Sequence, residues 1–227
     1  MNTGIIIFSR IGSSRLPGKA LKKIVGRTLV DRVIDRVLQV DSESLVIVAT
    51  TNSRLDNGLV KHIEQRGVLV FRGSSTDLLD RAISCANAFR LDQFVRISGD
   101  SPFIDPRLIE HALCKFFNND VDLVTNVFPR TYPMGVSVEI LKIKALRRVL
   151  EQVSDPYDRE HLTSYFYKNA ETFNILNFRS SEENLSEVNL AVDTMDDLKR
   201  TSWIIETFGE HVKLETAAEK SRLWRSS

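Results

Sequence analysis

The feature of the sequence that most constrains the fold is a regular alternation between short apolar runs and segments of helical periodicity. Residues 4–9 and 45–50 are apolar runs of the kind found in strands buried on both faces. Between them, apolar residues recur at helical spacing from Leu29 to Leu38. The same alternation predicts further strands at residues 68–71, 94–97, 123–126, 136–141, 173–178 and 189–192, and further helices at residues 55–66, 77–89, 106–117, 143–153, 160–169 and 195–208.

Four successive strand–helix units predict an α/β fold, in which helices cover both faces of a mostly parallel sheet. The chain has 227 residues, the length of one domain, and no linker, repeat or low-complexity stretch divides it. We therefore expect a single domain over residues 1–227. The second half is less regular, and residues 128–158 are predicted to form a small irregular appendage. Residues 219–227 are polar and are predicted to fray.

Composition argues against several classes of protein. The formal net charge is +1, so no basic field is present to hold DNA or RNA. No apolar run reaches the roughly 18 residues that a membrane helix needs, and we expect no membrane insertion. The two cysteines form no CxxC pair and the four histidines are scattered, which argues against a structural zinc site. We expect a protein of the reducing cytoplasm.

The loop after the first predicted strand, residues 10–19, carries three cations and two glycines. In an open α/β sheet, ligands bind beyond the carboxyl ends of the strands, which is where this loop begins. Glycines let a ligand approach the backbone, serine hydroxyls and N–H groups can cradle an anion, and arginine and lysine bind phosphate oxygens. The loop therefore predicts a nucleotide-phosphate site made of Arg10, Gly12, Ser13, Ser14, Arg15 and Lys19.

Two common phosphate-binding motifs do not match this loop. A P-loop has four residues between its glycines and a hydroxyl residue after its lysine. Here five residues, one of them Pro17, separate Gly12 from Gly18, and Ala20 follows Lys19. The dinucleotide fingerprint GxGxxG is also absent. The pattern therefore excludes a P-loop ATPase or GTPase and argues against a Rossmann dehydrogenase.

Two aspartates follow predicted strands and are candidate metal ligands. Asp100 comes after the fourth strand through Gly99, and Asp193 ends the predicted strand at residues 189–192. Taken singly, Asp100 also suits a turn before Pro102, and Asp193 suits a helix N-cap. Both are expected at the same edge of the sheet as the basic loop. Mg²⁺ binds to one or two carboxylates together with phosphate oxygens, so the combination predicts a Mg²⁺ site.

Beyond single residues, a series of motifs resembles one enzyme family. The opening loop reads RIGSSRLPGK, and further blocks are FRGS at 71–74, DR at 80–81, RISGDSP at 96–102, TYP at 131–133, DREH at 158–161 and VDT at 192–194. In this order they resemble the sugar cytidylyltransferases, that is, the spore-coat polysaccharide biosynthesis group and, more distantly, the enzymes that make CMP-Kdo and CMP-sialic acid. The resemblance covers nearly the whole chain.

The resemblance implies a fold, a reaction and a set of roles. The fold would be the Rossmann-like, three-layer nucleotide-diphospho-sugar transferase fold. The reaction would transfer CMP from CTP to a sugar, most simply an acidic one, and release pyrophosphate. The activated sugar would serve surface polysaccharide synthesis. The implied catalytic residues are Arg15, Lys19 and Asp100, with Asp100 and Asp193 on the metal. The block Arg72, Gly73, Ser74 and Asp80 would border the nucleotide base; from the residues alone it also suits an ordinary strand–helix turn.

The same family places its sugar acceptor against the later motifs. The implied substrate-binding residues are Asn126, Arg130, Tyr132, Glu139, Arg159 and His161. Arginine suits a carboxylate-bearing sugar because it binds carboxylates bidentately. His161 would head the helix predicted at 160–169. Ser137 stands where close family members show aspartate, which leaves the identity of the sugar open.

Alternative functions remain at this point. A sugar 1-phosphate as the nucleophile would make the protein an NDP-sugar pyrophosphorylase. A glycosyltransferase would carry a DxD motif after a middle strand, whereas Asp120 and Asp122 form such a motif before one. A non-catalytic nucleotide-binding scaffold is disfavoured by Lys19, Asp100 and Asp193. We also expect a homodimer, because the resembled enzymes commonly pair through an appendage like residues 128–158.

Overall fold

The computed structural model describes residues 2–182 and 185–224. The strands are β1 (Thr3–Phe8), β2 (Lys23–Ile24), β3 (Arg27–Thr28), β4 (Leu45–Thr51), β5 (Leu69–Gly73), β6 (Gln93–Ser98), β7 (Leu123–Thr125), β8 (Glu139–Lys142) and β9 (Ile175–Asn177). The helices are α1 (Leu29–Val37), α2 (Asn57–Gln65), α3 (Leu78–Ala88), α4 (Pro106–Phe117), α5 (Ile143–Gln152), α6 (Pro156–Glu160), α7 (Ser164–Lys168), α8 (Met195–Phe208) and α9 (Leu214–Leu223).

Seven of the strands form one mostly parallel sheet in the order β5–β4–β1–β6–β8–β7–β9. Strand β8 runs antiparallel to both of its neighbours, β6 and β7, whereas the other pairs are parallel. Strands β2 and β3 form a separate two-stranded ribbon. The carboxyl ends of β1, β4, β5 and β6 therefore meet at one edge of the sheet, and the loops that follow them can share a ligand.

Helices cover both faces of the sheet, which explains why its central strands are apolar without alternation. In β1, Ile5 and Ile7 belong to a core cluster with residues of α1, α2, α4, α8 and α9. Ile6 points to the opposite face, into a second cluster with residues of α3, α5 and α7. Strand β1 is buried on both faces, as its continuous apolar run predicts. The predicted three-layer α/β fold is confirmed.

Three predicted elements differ from the structure. The helix expected at 160–169 is two short helices, α6 and α7, because Asp155 and Pro156 start a helix earlier, and that helix ends at His161. Residues 189–192 do not form a strand of the sheet; Asn189 makes a single bridge to Met134. The tail expected to fray from residue 219 includes the last part of α9, and residues 225–227 lie outside the described residues.

The segment 128–158 is only partly irregular. It contains β8, which lies inside the sheet, and α5, which packs in the second core cluster. Strand β8 begins at Glu139, later than the predicted residue 136. Its preceding segment is held instead by Asn126, whose side chain donates to Val136 O and accepts from Val138 N, each at 2.9 Å. Within the described ranges, no helix has the length and apolarity to cross a bilayer.

Candidate active site

The loop after β1 is fixed by contacts that lie within the protein. Ile11 N donates to Oδ1 of Asp56 at 2.8 Å, and Gly18 N donates to the Ile11 carbonyl at 3.1 Å, which closes the loop. Gly18 has φ +71°, a backbone conformation that favours glycine. Leu16 is buried in the core between these points. Together these contacts hold Lys19 at the carboxyl edge of the sheet.

Asp56 anchors this loop, although no motif in the sequence marks this residue. Its side chain is buried, and its Oδ2 accepts from the Thr50 hydroxyl at 2.8 Å and from Thr51 N at 3.0 Å. Burial alone would raise the pKa of this carboxyl. Hydrogen bonds from Thr51, Ile11 and Thr50 outweigh burial, and the pKa of Asp56 is lowered. Asp56 is therefore an ionised buried group that joins the loop to β4.

The ammonium group of Lys19 joins two carboxylates that are far apart in the sequence. Its Nζ donates to Asp100 Oδ2 and to Asp193 Oδ1, each at 2.8 Å, and to the Val192 carbonyl at 3.0 Å. Arg15 forms an ion pair with the other oxygen of Asp193 at 2.9 Å. Burial opposes the charge of Lys19, but its attraction to Asp100 and Asp193 is larger in sum and raises the pKa of Lys19.

Backbone packing explains why the two aspartates meet. A Cβ on Gly99 would lie 2.6 Å from the Ser9 side chain and 2.9 Å from a β1 carbonyl, so only glycine lets this turn pass beside β1. Val192 N then donates to the Asp100 carbonyl at 2.9 Å, which places Asp193 next to it. Asp193 N donates to Asp197, a residue of the capping box that starts α8. The position of Asp193 is therefore fixed by a loop and by the first turn of α8, and not by a strand.

The pair of aspartates fits a magnesium ion better than it fits a metal held by protein ligands alone. Both oxygens lie 2.8 Å from the same nitrogen, so they are much closer than the ~8 Å at which sharing one ion becomes impossible with Mg²⁺–oxygen distances of about 2.1 Å. Among residues 2–182 and 185–224, no group of three or more His, Cys, Asp or Glu side chains is placed to hold a metal. Two carboxylates beside a cluster of cations match the way Mg²⁺ binds together with the phosphates of a nucleotide.

These groups line a cavity of about 390 Å³ at the carboxyl edge of the sheet, which we call the nucleotide cavity. The predicted residues that line it are Arg10, Gly12, Ser13, Ser14, Arg15, Lys19, Asp100 and Asp193. Arg10 donates to Glu160 Oε1 at 2.9 Å and to the Ser75 carbonyl at 3.3 Å. Leu78 and Arg81 of α3 also line the cavity.

The residues predicted to border the base do not line this cavity. The guanidinium of Arg72 donates to the carbonyls of Thr51 and Ser53 at 3.1 and 2.7 Å, and so ties two segments of the protein together. The Ser74 hydroxyl accepts from Asp77 N at 3.1 Å, at the start of α3. Asp80 is exposed in the first turn of that helix. This block forms the strand–helix turn that its residues alone also suggested.

Gly73 affects the cavity indirectly, through Arg81. A Cβ on Gly73 would lie 2.8 Å from Cγ of Arg81 and 2.9 Å from the Phe71 ring. The space that glycine leaves lets the Arg81 side chain run beside β5 into the cavity. Arg81 is 5% exposed, its Nη1 donates to the Ser74 carbonyl at 2.7 Å, and its buried Nε has no partner among the described residues. Burial lowers the pKa of Arg81.

A second cavity of about 230 Å³ lies beside the first, and we call it the acceptor cavity. Three of the predicted acceptor residues line it: Arg130, Glu139 and His161. Nη1 and Nη2 of Arg130 are each 3.2 Å from the Ser137 hydroxyl, and burial lowers the pKa of Arg130 while Glu139 opposes this effect. Glu139 is 1% exposed and accepts hydrogen bonds from Arg96 and from the hydroxyl of Tyr167.

The other three predicted acceptor residues hold the protein together elsewhere. Asn126 is fully buried and is bonded to the segment before β8, as described above. The Tyr132 hydroxyl donates to the Arg179 carbonyl at 3.3 Å, and its ring packs edge-on against Phe178. Arg159 forms an ion pair with Asp77 at 2.6 Å, at the start of α3. These residues stand in the recognised motifs, but they line neither cavity.

Arg96 was missed as a site residue although it lines both cavities. The sequence does indicate Arg96, because a lone cation inside the apolar run Phe94–Ile97 must face either a buried carboxylate or a ligand. Tyr167 and Ser98 gave no such signal. The DxD motif plays no part here: Asp120 pairs with Lys142, and Asp122 accepts from Asn174 N, at the start of β7 and therefore at the opposite edge.

The fold and the nucleotide cavity define a class: an α/β protein with a cluster of cations and a pair of aspartates at the carboxyl edge of its sheet. A sequence model of the cytidylyltransferase family matches residues 4–218. The chain belongs to this family, within the sugar cytidylyltransferases that the motifs resembled, and it is a nucleotidyltransferase.

Individual relatives agree with this assignment. The chain is 29% identical to the spore coat polysaccharide biosynthesis protein SpsF of Bacillus subtilis, covering 90% of this chain and 87% of SpsF. It is 30% identical to the 8-amino-3,8-dideoxy-manno-octulosonate cytidylyltransferase of Shewanella pealeana, covering 73% and 64%. A solved cytidylyltransferase from Leptospira borgpetersenii superposes with a TM-score of 0.92 at 29% identity and covers 98% of this chain and 94% of that one.

Proposed function

We propose that this protein transfers CMP from CTP to a hydroxyl of a carboxylate-bearing sugar, with Mg²⁺ as cofactor and pyrophosphate as the second product. The observation that carries the proposal is the arrangement of the two cavities. The nucleotide cavity contains the Lys19–Asp100–Asp193 cluster, and the acceptor cavity beside it contains the cation Arg130. A cytidylyltransferase needs both an anion-binding triphosphate site and an adjoining site for its acceptor.

The acidic nature of the acceptor is inferred from the charges of the acceptor cavity. Arg130 donates only to neutral oxygens, those of Ser137 and Pro133, and makes no ion pair within residues 2–182 and 185–224. The carboxylate of Glu139 is already bonded to Arg96 and Tyr167. An unpaired, half-buried guanidinium is costly unless a ligand brings an anion, and a carboxylate matches its forked donors. The name of the Shewanella relative, an enzyme for an octulosonate, points to the same class of sugar.

In the proposed reaction, a hydroxyl oxygen of the sugar forms a bond to the α-phosphorus of CTP. The bond from that phosphorus to the bridging oxygen breaks, pyrophosphate leaves with the electron pair, and the hydroxyl proton passes to water. Arg10, Arg15 and Lys19 bind the triphosphate and neutralise its charge, and Arg130 orients the sugar through its carboxylate. The raised pKa of Lys19 keeps this group charged at neutral pH.

Asp100 and Asp193 are the residues that would hold Mg²⁺, together with phosphate oxygens of the nucleotide. When bound, the ion supplies positive charge that stabilises the reacting phosphate and the leaving group. Lys19 already pairs with both carboxylates. Its ammonium group can exchange one carboxylate for a phosphate oxygen, because carboxylate and phosphate oxygens are both anionic acceptors. Ser98 fixes the orientation of Asp100 by donating to its Oδ1 at 2.7 Å.

The test is a pyrophosphate-release assay with each of the four ribonucleoside triphosphates and a panel of 3-deoxy-2-keto sugar acids. Each acid is paired with the matched sugar in which the carboxylate is reduced to an alcohol. We expect turnover with CTP and an acid, and little with the alcohol. In the variant Arg130→Gln, KM for the acid should rise about tenfold or more, because one charged pair contributes about 1.5–3 kcal/mol. Equal use of ATP and CTP, or of acid and alcohol, would contradict the proposal.

The remaining parts of the proposal concern the cellular setting. The product would be a nucleotide-activated sugar for a surface polysaccharide, as the name of the Bacillus relative suggests. Because the reaction consumes CTP, we place it in the cytoplasm. We also propose a homodimer, since Phe128, Met134 and Tyr157 expose 39–56% of their area within residues 128–158. Light scattering distinguishes a dimer from a 25.8 kDa monomer.

A further inference from the structure

Arg96 occupies the boundary between the two cavities. Among the residues that the structure describes, it alone lines both the nucleotide cavity and the acceptor cavity. It lies in β6, two residues before the strand ends at Ser98, and its side chain is 26% exposed. Whatever is transferred from a nucleotide in the first cavity to an acceptor in the second must pass this side chain.

The guanidinium of Arg96 is held in place from one side. Strands β6 and β8 are antiparallel, and their register puts Arg96 directly opposite Glu139. Nη1 of Arg96 donates to one oxygen of Glu139, and the Tyr167 hydroxyl donates to the other. Tyr167 is itself 2.8 Å from the hydroxyl of Thr125 on β7. Burial opposes the charge of Arg96, but Glu139 more than compensates and raises the pKa of Arg96. The group is therefore both oriented and permanently charged.

The other donors of Arg96 remain free. Within residues 2–182 and 185–224, neither Nε nor Nη2 has a hydrogen-bond partner, and neither is among the fully buried unpaired atoms. These two donors are accordingly open to the cavities. A guanidinium anchored through one nitrogen, with two donors left, can bind the paired oxygens of a phosphate or a carboxylate.

We propose that Arg96 is a catalytic residue that donates to the non-bridging oxygens of the α-phosphate during transfer. This inference rests on the proposed function, in which the sugar hydroxyl attacks the α-phosphorus and pyrophosphate leaves. That phosphorus has to lie where the two cavities meet, since it is bonded first to the nucleotide's leaving group and then to the acceptor. Arg130, which lines the acceptor cavity only, is the arginine for the sugar carboxylate.

The experiment compares three arginine-to-lysine variants, which keep the charge and remove the fork. Arg96→Lys should lower kcat about a hundredfold, as loss of one transition-state donor does, with KM for both substrates within threefold of wild type. Arg130→Lys should instead raise KM for the acceptor. Arg107→Lys is the matched control, because Arg107 pairs with Asp105 at the start of α4 and lines neither cavity.

A second readout does not depend on turnover. With CTP and Mg²⁺ bound and no acceptor, the ³¹P resonance of the α-phosphorus should shift in Arg96→Lys relative to wild type, while the β and γ resonances stay. Arg130→Lys and Arg107→Lys should leave all three in place. Calorimetric titration with CTP and a thermal unfolding curve establish that Arg96→Lys is folded and binds nucleotide.

The outcomes separate the two proposals. An unchanged α-phosphorus resonance in Arg96→Lys, or a rise in the acceptor KM with kcat intact, overturns the role of Arg96. If wild type releases no pyrophosphate with any sugar acid, the proposed acceptor class is wrong, and the resonance still decides whether Arg96 contacts the α-phosphate. If another nucleoside triphosphate binds in place of CTP, the same measurement is made with that nucleotide.

Discussion

The two cavities differ in how their walls are built. Most residues of the nucleotide cavity belong to the turns that directly follow β1 and β6, and Asp193 and two residues of α3 lie beside them. Each of these turns contains a glycine and polar residues next to a buried strand. The acceptor cavity is lined by Arg96 of β6, by Glu139 of β8, by the loop that precedes β8, and by residues of and around α6 and α7, helices of only five residues each. Its side chains reach the cavity through tertiary contacts between segments that have no regular spacing.

This difference explains which of the predicted residues line a cavity. In the loop after β1, every predicted residue lines the nucleotide cavity. Around the acceptor, Arg130 faces the cavity, whereas Asn126 lies a few residues earlier in the chain and is fully buried. The residues of a turn that follows a parallel strand lie at the carboxyl edge of the sheet, so their position can be predicted from the sequence. A residue in an irregular loop can turn inward or outward, and a single sequence does not decide which.

The largest effect is expected in the nucleotide cavity, from Asp100→Asn or Asp193→Asn. Each change keeps the shape and removes one of the two anionic ligands proposed for Mg²⁺. We expect turnover to fall about a hundredfold or more, by analogy with the loss of one preorganised electrostatic group. Binding of the nucleotide without metal should survive, because Arg15 and Lys19 remain. Steady-state kinetics and calorimetry with and without Mg²⁺ measure the two effects.

Two further variants sharpen this prediction. Lys19→Ala should weaken nucleotide binding itself, since it removes a cation of the triphosphate site. Asp120→Asn is the matched control, because this aspartate is 97% exposed at the opposite edge of the sheet, where it pairs with Lys142. Full activity in either Asp100→Asn or Asp193→Asn, with a verified substrate, would contradict a catalytic metal ion that both aspartates share.

A smaller effect should come from Gly73→Ala, at a residue that does not touch the cavity. The new methyl group would lie 2.8 Å from Cγ of Arg81, so the arginine must move away from its position in the wall. We expect the affinity for CTP to fall about tenfold, which corresponds to about 1.4 kcal/mol. Gly58→Ala is the control, because its Cβ would meet nothing closer than 3.9 Å. Calorimetry measures the affinity of both variants for CTP. Equal affinities in Gly73→Ala and Gly58→Ala would show that Arg81 does not contribute to binding.

Much of the architecture followed from periodicity, and the parts that did not have identifiable causes. The helices 106–117 and 195–208 match α4 and α8 because each has a capping residue at its start, Asp105 and Thr194. The strand expected at 189–192 was wrong because its apolar residues are buried in a loop, where Val192 bonds to the Asp100 backbone and not to a neighbouring strand. Burial was correctly inferred there, but pairing depends on neighbours that the sequence does not reveal.

For the site, the position of a residue at the sheet edge was easier to infer than the direction of its side chain. A buried strand followed by glycine and aspartate at Asp100 was enough to predict its place at the sheet edge. Arg72 and Arg159, in contrast, are cations in recognisable motifs that bond within the protein: Arg72 donates to two carbonyls, among other acceptors, and Arg159 pairs with Asp77. Nothing in the residue types distinguishes an arginine that binds a ligand from one that ties two segments together, because both use the same donors.

Asn126→Ala tests this point in the acceptor region. The change removes two buried hydrogen bonds to the segment that leads into β8. We expect the free energy of unfolding to fall by about 2–3 kcal/mol, because a buried backbone N–H and a carbonyl lose their partners. KM for CTP should stay the same, since β6 lies between β8 and β1 in the sheet, and the loop proposed to bind the triphosphate follows β1. Chemical denaturation and steady-state kinetics provide both numbers, and a stable variant with a raised CTP KM would restore Asn126 to the site.

The last effect concerns the pH dependence of stability and the loop anchor Asp56. In the folded protein the pKa of Asp56 lies below its ordinary value of 3.8, because hydrogen bonds outweigh burial. A group with a lowered folded pKa stabilises the protein fully above its unfolded pKa, and this contribution is lost as the pH falls through the folded pKa. Asp56→Asn places an amide against donors and should cost about 1–2 kcal/mol at pH 7. The difference between wild type and variant should narrow below about pH 4. Urea unfolding of wild type and variant at pH 7 and at successive acidic pH values measures this difference. A difference that stays constant with pH would mean that the charge of Asp56 does not hold the loop after β1.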